Sequence, residues 1–231
     1  MRQRSDLHIG VLALQGAFAE HIRMLRACGA EVEEVRKPLS SGNHAGLDAF
    51  DGMVLPGGES TVMAKFLQEE GLLDALRTRI EEGMPVYGSC AGLILLCRDI
   101  EGPDGSRLDQ PRLGVLDATA RRNAFGRQVD SFELELRVKE VEHAEKPLPA
   151  LFIRAPLISR VGTGVHVLAR VPDAAGLSVS GPVAVRQGNI LATSFHPELT
   201  SDMRIHRMFL EMVDREKNAR AVRQGKVAGR F

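Results

Sequence analysis

The sequence predicts an α/β fold built on a mixed, mostly parallel central sheet flanked by helices. In the N-terminal half, short apolar runs alternate with amphipathic helical patterns, which is typical of a parallel sheet covered on both faces. The C-terminal half carries mostly short β-like runs, which predict an antiparallel extension of the sheet. No internal repeat or Pro/Ser-rich linker is present, so we expect a single domain over 1–231 with flexible ends at 1–6 and about 218–231.

Glycine and proline separate the elements expected in the N-terminal half. A nearly continuous apolar run at 7–14 predicts a buried strand, which Gln15 and Gly16 end, and apolar residues at helical spacing predict a helix at 18–27. The other expected elements are strands at 31–35, 52–55 and 85–88 and helices at 60–82, interrupted at Gly71, and at 91–100. Ser60 is a candidate N-cap. Turns follow the strands at the sheet edge where α/β folds collect ligands.

The C-terminal half is expected to add strands and one closing helix. The β-like runs lie at about 113–120, 131–141, 149–154, 165–171, 182–187 and 190–195. An amphipathic helix is expected from about 201 to 218. The tail at 217–230 carries basic but no acidic residues, which fits a solvated end and also a partner contact.

Composition narrows the function classes. An apolar content of 44% can supply a sizeable core, and 30 basic residues balance 30 acidic ones, so no net field favours nucleic acid or an anionic membrane. The three cysteines lack the spacing of a zinc site or a disulfide framework, so we expect no metal, no cofactor and a reducing cytoplasm. No apolar run approaches the ~18 residues that span a bilayer.

Cys90 is the candidate nucleophile. The segment 86–92, VYGSCAG, places it between two glycines where an apolar strand turns directly into an apolar helix. This pattern is typical of a nucleophile elbow, whose side chain projects from the sheet while the helix N-terminus stabilises the thiolate. A cysteine in an apolar sequence can also be a small buried hydrophobe, which is how we interpret Cys28 and Cys97. The flanking glycines favour the nucleophile for Cys90.

His196 and Glu198 are the candidate base and its orienting group. They lie in the segment 194–198, SFHPE, after an apolar run that should end at the same sheet edge as the elbow. Their distance from Cys90 in sequence is no obstacle, because triads assemble in space. Alone, a histidine beside a glutamate also fits a surface pair. Together with the cysteine elbow, the pair indicates a catalytic triad.

The glycine turn at 55–60, LPGGES, is the third motif. Glycines let a backbone approach a ligand closely and direct N–H groups at developing negative charge. A tight strand-to-helix turn capped by Ser60 is the structural alternative. A phosphate loop is disfavoured because the GxxxxGK[ST] pattern is absent.

Together, the three motifs resemble the class I, triad-type glutamine amidotransferase family. Three further segments look like the glutaminase subunit of pyridoxal 5′-phosphate synthase, namely VLALQG at 11–16 followed by Glu20 and His21, RNAFGRQVDSFE at 122–133, and FIRAP at 152–156. The resemblance covers roughly residues 7–215, and the 122–133 block is its most specific motif. Extra residues depart from the family pattern at both ends and in loops around 39–47, 102–111 and 143–149. They interrupt no chemical motif.

The resemblance implies a flavodoxin-like three-layer fold and a glutaminase activity. The chain would hydrolyse L-glutamine to L-glutamate and ammonia through a Cys90 thioester. The ammonia would pass to a separate synthase subunit, similar to a TIM barrel, that makes pyridoxal 5′-phosphate (vitamin B6) in a hetero-oligomer.

Carried onto matching positions, the resemblance also implies residue roles. Cys90 is the nucleophile, with His196 as base and Glu198 as its orienter. The residues expected to line the glutamine site are Gly57, Gly58, Glu59, Arg122, Ile153 and Arg154. We assign the oxyanion donors to the backbone N–H groups of Gly58 and Ala91. An arginine fork suits the substrate's α-carboxylate on chemical grounds alone. Gln15 is a candidate for sensing the partner, with turn stabilisation as an equal alternative.

Three other functions are compatible with the same sequence. The chain could be a class I glutaminase of imidazole or purine synthesis, against which the 122–133 block argues. It could be a cysteine peptidase of similar fold, although the glycine turn and Arg122 favour a small amino-acid substrate. It could also be a non-catalytic α/β interaction subunit with a buried cysteine, which labelling of Cys90 by a glutamine-like electrophile would exclude.

Overall fold

The computed structural model describes residues 6–39, 46–125, 131–173 and 180–225. Its strands are β1 (His8–Leu12), β2 (Glu31–Val35), β3 (Gly52–Leu55), β4 (Val86–Ser89), β5 (Cys97–Glu101), β6 (Leu116–Arg121), β7 (Ser131–Leu136), β8 (Leu148–Ile153), β9 (Leu157–Val161), β10 (His166–Val171), β11 (Gly181–Gln187) and β12 (Ile190–Thr193). Its helices are α1 (Phe18–Ala27), α2 (Ser60–Glu69), α3 (Leu72–Glu81), α4 (Ala91–Leu96) and α5 (Arg204–Arg223), with 3-10 turns at Leu47–Ala49 and Pro197–Leu199.

Seven strands form the central sheet in the order β10-β11-β12-β4-β3-β1-β2. The pairings from β2 across to β12 are parallel, whereas β12 with β11 and β11 with β10 are antiparallel. The expected mixed, mostly parallel sheet is therefore confirmed. Two smaller sheets, β5-β6-β9 and β7-β8, come from the strand-rich second half.

Apolar side chains cover both faces of this sheet. Successive residues of a strand point to opposite faces, so Leu55 packs with α2, α3 and α4 on one side, while Val54 packs with α1 and α5 on the other. Burial on both faces explains why the central strands read as continuous apolar runs rather than as alternating ones. The α/β/α layering leaves the carboxyl ends of β1, β3, β4 and β12 at one edge.

One predicted helix is wrong in its second half. The helix expected at 91–100 ends at Leu96, and Cys97 begins β5, which pairs in parallel with β6. Arg98 and Asp99 point outward between the buried Cys97 and Ile100, and Arg98 binds Asp117 of β6 at 2.8 Å. The pairing with a distant strand overrides the local helical pattern. For the same reason β9 was not predicted.

The N-cap of α2 and the extent of α5 also differ from expectation. Glu59 rather than Ser60 is the N-cap, because Glu59 has an extended backbone and Ser60 is already helical, and the Glu59 carboxylate accepts the Thr61 backbone N–H at 3.3 Å. The last helix continues to Arg223, past the expected end near 218, and Glu216 binds Arg220 at 3.0 Å in its final turns. Residues 218–223 of the expected flexible end are thus helical, while 1–5 and 226–231 lie outside the described residues.

The two cysteines interpreted as packing residues differ. Cys97 is fully buried, as expected, and burial raises the pKa of its thiol well above the usual range. Cys28 is only partly buried. None of the helices within the described ranges is long and apolar enough to cross a membrane.

Candidate active site

Cys90 lies at a strained elbow between β4 and α4. Its backbone has φ 48° and ψ −100°, a conformation that costs a non-glycine residue on the order of 1–3 kcal/mol and is found mostly at functional sites. The Cys90 N–H donates to Thr193 O of the neighbouring β12 at 2.8 Å, which fixes the elbow to the sheet. A Cβ atom on Gly92 would lie 2.0 Å from Leu55 O, so only glycine lets α4 pack this close to β3.

His196 follows β12 and reaches the same edge of the sheet. Its N–H donates to Leu151 O at 2.8 Å, and its Nδ1 lies 2.7 Å from Glu198 Oε1. Glu198 is fully buried in the 3-10 turn, whereas His196 lines the cavity. The carboxylate therefore holds the imidazole from behind and leaves its other nitrogen for the thiol.

Hydrogen bonds and nearby charges keep His196 and Glu198 ionised. Burial would lower the pKa of His196, but hydrogen bonds to Cys90 and Glu198 outweigh it and raise the pKa to about 10. Burial likewise favours a neutral Glu198, yet the interaction with the adjacent His21 and the hydrogen bond to His196 hold the pKa of this carboxyl far below its usual range. At neutral pH, His196 is thus a cation beside an anionic Glu198.

A cavity of about 440 Å³ opens at this edge. The residues predicted from the sequence that line it are Gln15, Gly57, Gly58, Glu59, Cys90, Arg122, Ile153, Arg154 and His196. Two predicted residues do not line it: Ala91 is buried directly after Cys90 as the first residue of α4, and Glu198 lies behind His196. Further lining residues, which were not predicted, are Gly16, Ala17, Ser60, Ile94, Asn123 and Leu199.

The glycine loop after β3 packs directly on the triad. A Cβ atom on Gly57 would lie 2.3 Å from His196 Cε1, so this position requires glycine for close approach. A second segment holds the loop from outside, because Ala17 N–H donates to Gly57 O at 3.2 Å and Glu59 N–H donates to Gln15 Oε1 at 3.0 Å. The position of the loop depends on residues 15–17.

Arg122 and Glu59 form a charged pair at the cavity wall. Arg122 Nη2 donates to Glu59 Oε1 at 2.8 Å, and Nη1 donates to Gln110 Oε1 at 3.3 Å. Burial opposes ionisation of Glu59, but hydrogen bonds from Thr61 and the charge of Arg122 lower its pKa. A guanidinium beside a carboxylate offers partners of both signs, as the α-carboxylate and α-ammonium groups of a free amino acid require.

Ile153 and Arg154 close the cavity opposite the glycine loop. The Cys90 Sγ lies 3.9 Å from Ile153 O, so the β8 backbone reaches the nucleophile. Arg154 has a positive φ of 45°, and it follows the end of β8.

Two residues contact the site although the sequence did not predict these contacts. Gln110 is buried and donates to Ser60 Oγ at 3.3 Å while it also accepts from Arg122. His21 is fully buried next to Glu198. The sequence marked His21 only as part of the family segment that follows residues 11–16, and nothing marked Gln110. Neither contact was predicted, because each joins segments far apart in the chain.

Residues 126–130 of the motif at 122–133 lie outside the described residues. Across the four described ranges, no group of three or more His, Cys, Asp or Glu side chains is arranged to hold a metal ion.

Comparison with known proteins places this geometry in context. The model of the SNO glutamine amidotransferase family matches residues 11–215. Pyridoxal 5′-phosphate synthase subunit PdxT of Nocardia farcinica is 55% identical over 205 residues, which are 89% of this chain and 85% of the relative. PdxT of Frankia alni is 53% identical over 209 residues, 90% of this chain and 96% of the relative.

Two solved structures resemble the fold. A crystal structure of a glutamine amidotransferase has a TM-score of 0.76 and 47% identity, covering 89% of this chain and 98% of the other. PurLQS from Thermotoga maritima has a TM-score of 0.60 over the same shares of the two chains, but at 13% identity this likeness shows the fold alone.

Proposed function

Because the chain belongs to the SNO glutamine amidotransferase family, we propose that it hydrolyses L-glutamine and supplies the ammonia for pyridoxal 5′-phosphate synthesis. The observation that carries the proposal is the elbow cysteine beside a charged His196–Glu198 pair, in a cavity whose wall holds Arg122 and Glu59. Relatives that share about half of the sequence are named as subunits of that synthase. The free cysteines suit a reducing cytoplasm.

The first half of the reaction forms a thioester. The Cys90 thiolate attacks the side-chain carboxamide carbon, and the N–H groups of Gly58 and Ala91 hold the resulting oxyanion. Each such donor contributes about 3 kcal/mol in the transition state. The His196 imidazolium then gives its proton to the departing nitrogen, so ammonia leaves and the acyl group stays on sulfur.

The second half releases glutamate. The now neutral His196 takes a proton from water, whose oxygen attacks the thioester carbon. This attack forms a second tetrahedral intermediate. Its collapse breaks the C–S bond, restores the Cys90 thiolate beside the His196 imidazolium, and frees L-glutamate. Glu198 remains ionised throughout and fixes the orientation of the imidazole.

The cavity fits an amino acid better than a peptide. Arg122 provides the bidentate donor for the α-carboxylate, and Glu59 provides the partner for the α-ammonium group, while Gly57, Ile153 and Arg154 line the rest of the glutamine site. A peptide would bury these opposite charges without matching free termini. This reasoning disfavours the peptidase alternative.

The proposed partner is a synthase subunit of the TIM-barrel type, with which the chain forms a hetero-oligomer. Contact at residues 15–17 would reach the oxyanion loop through the Gln15–Glu59 and Ala17–Gly57 hydrogen bonds. A loop with adjacent glycines can hold a non-productive peptide orientation until such a contact selects the productive one. Gln15 is thus both a loop-stabilising and a partner-sensing residue in this proposal.

The test is a steady-state assay of glutamate release by the purified chain, without partner and with saturating partner. We expect slow hydrolysis alone and a strong rise with the partner, mainly in kcat, because oxyanion donors act in the transition state. Cys90→Ala should abolish release and keep the fold. Glutamate release by folded Cys90→Ala would contradict the nucleophile, and full activity without the partner would contradict the activation.

The triad roles are separable by substitution. We expect His196→Asn to lose nearly as much kcat as Cys90→Ala, and Glu198→Gln to lose less, because an orienting group contributes less than the acid–base itself. Negligible losses at both positions would require another base.

A further inference from the structure

His21 of α1 lies directly behind the triad and is fully buried. Its Nε2 is 2.9 Å from Ser89 Oγ, next to the nucleophile in sequence, and 3.4 Å from Glu198 Oε2. Its Nδ1 is 3.0 Å from His206 Nε2 of α5. One imidazole therefore contacts the elbow, the triad carboxylate and a second buried histidine.

The hydrogen-bond partners of the two histidines indicate which ring nitrogens donate. His206 Nδ1 is buried without a hydrogen-bond partner among the described residues, so it is best left unprotonated, since a buried N–H without an acceptor is the costlier case. His206 Nε2–H then donates to His21 Nδ1. His21 Nε2–H in turn donates to Ser89 Oγ, and Glu198 Oε2 lies 3.4 Å from the same nitrogen.

The free oxygen of Glu198 gives this arrangement its significance. Oε1 binds His196, whereas Oε2 is buried and makes no hydrogen bond within the described part of the chain. A buried carboxylate oxygen needs a donor or a cation nearby, and His21 Nε2 is the nitrogen at 3.4 Å. Without it, the carboxylate would be free to turn away from His196 or to take up a proton.

We propose that His21 is a positioning residue for the glutaminase reaction: it holds the Glu198 carboxylate in the ionised form and orientation that keep His196 charged. The inference deepens the proposed function and rests on it. His21 touches neither the cavity nor the substrate, and it acts only through Glu198 and Ser89. It also connects the triad to α1, the helix that follows the 15–17 segment beside the oxyanion loop.

The kinetic test compares His21→Leu and His21→Gln in the full chain with saturating synthase partner. Residues that orient a catalytic group in metal sites typically contribute about 10- to 100-fold, and we expect His21→Leu to lower kcat by such a factor with little change in KM. Glutamine can place a donor near the position of Nε2, so His21→Gln should regain part of the loss. Phe209→Leu, in the same core but without a hydrogen bond to the triad, is the matched packing control and should keep kcat.

A double-substitution cycle separates positioning from general packing. If His21 acts through Glu198, His21→Leu should lower kcat far less in a Glu198→Gln background than in the wild-type background. Equal factors in both backgrounds, or full kcat in folded His21→Leu, would overturn the proposal. Should His21→Leu fail to fold, the same comparison with His21→Gln decides.

A readout without turnover keeps this inference distinguishable from the proposed function. In an NMR titration of His196, the pKa of about 10 should fall in His21→Leu and be partly restored in His21→Gln. An unchanged His196 titration would overturn the positioning role even in an active enzyme. Absence of glutamate release by the wild type with partner would instead overturn the glutaminase function, and a shifted His196 titration would still support the contact with Glu198.

Discussion

Arg122 shows how one side chain at the site combines structure and recognition. Its two terminal nitrogens bind Glu59 and Gln110 on separate segments, at 2.8 Å and 3.3 Å. The planar guanidinium makes both bonds at once with a geometry that a lysine ammonium does not reproduce. The two hydrogen bonds of the Arg122 guanidinium therefore fix where its positive charge lies at the cavity wall.

We therefore expect Arg122→Lys to raise the KM for glutamine by about tenfold or more, which corresponds to about 1.4 kcal/mol of lost binding. The change in kcat should be smaller, because the α-carboxylate lies away from the reacting amide. Steady-state kinetics across glutamine concentrations measures both. The control is Arg121→Lys, whose residue pairs with Glu101 at 3.2 Å on the neighbouring small sheet. Equal KM values for the two variants would remove Arg122 from the substrate site.

At the scale of elements, the site is assembled from the ends of strands. The elbow follows β4, the glycine loop follows β3, and His196 follows β12, which are adjacent in the sheet. Parallel strands place their carboxyl ends at one edge of the sheet, so the three motifs that follow β3, β4 and β12 lie next to one another. Because the glycine loop packs closely on the His196 imidazole, neither group can move far without displacing the other.

Gly57→Ala tests this packing. The added methyl group would lie 2.3 Å from His196 Cε1, so the loop or the imidazole must shift. Loss of one oxyanion donor costs about 10²- to 10³-fold in kcat, and we expect a loss of that order with Cys90, His196 and Glu198 all retained. Gly164→Ala, where the methyl group would meet no atom within 4 Å, is the matched control and should keep wild-type activity. A fully active Gly57→Ala enzyme would show that the loop tolerates displacement.

Local sequence predicted the elements whose signals are local. The spans of α1, β2 and β3 agree with the expected 18–27, 31–35 and 52–55, because the helical spacing, the alternation and the apolar run that predicted them lie within these segments. The strand at Cys97 depends on pairing with Leu116, which no window around Cys97 contains. The motifs around Cys90 and His196 likewise indicated the cavity residues, whereas the contacts of His21 and Gln110 depend on the assembled fold.

At the scale of the whole molecule, the core between the sheet and α1 and α5 contains ionisable groups. Burial, with a further contribution from the adjacent His21, lowers the pKa of His206 to about 3, although Glu198 opposes the shift. A histidine that stays neutral in the folded chain but binds a proton in the unfolded chain makes stability depend on pH. The raised pKa of His196 affects stability in another pH range. The stabilisation that it contributes is fully present below the ordinary histidine pKa of 6.5 and is lost as the pH rises toward about 10.

The two histidines affect stability in separate pH ranges. Below about pH 6.5, His206 binds a proton in the unfolded chain but stays neutral in the folded chain. We therefore expect this residue to lower the free energy of unfolding by roughly 1.4 kcal/mol for each unit by which the pH falls. Buried carboxylates such as Glu198, whose ordinary pKa is 4.5, lose their contribution to folding stability only at lower pH. The interval between about pH 5 and 6.5 therefore isolates the histidine.

His206→Gln should flatten this acid slope, because glutamine keeps a donor for His21 but does not titrate. Denaturant unfolding of wild type and variant between about pH 5 and 8 gives the slopes, and a constant loss of stability in the variant leaves the comparison intact. His166→Gln, at a histidine whose side chain is 63% exposed, is the control and should keep the wild-type slope. If His206→Gln retains the full slope, the proton is taken up elsewhere, and the buried pair of histidines does not limit stability in acid.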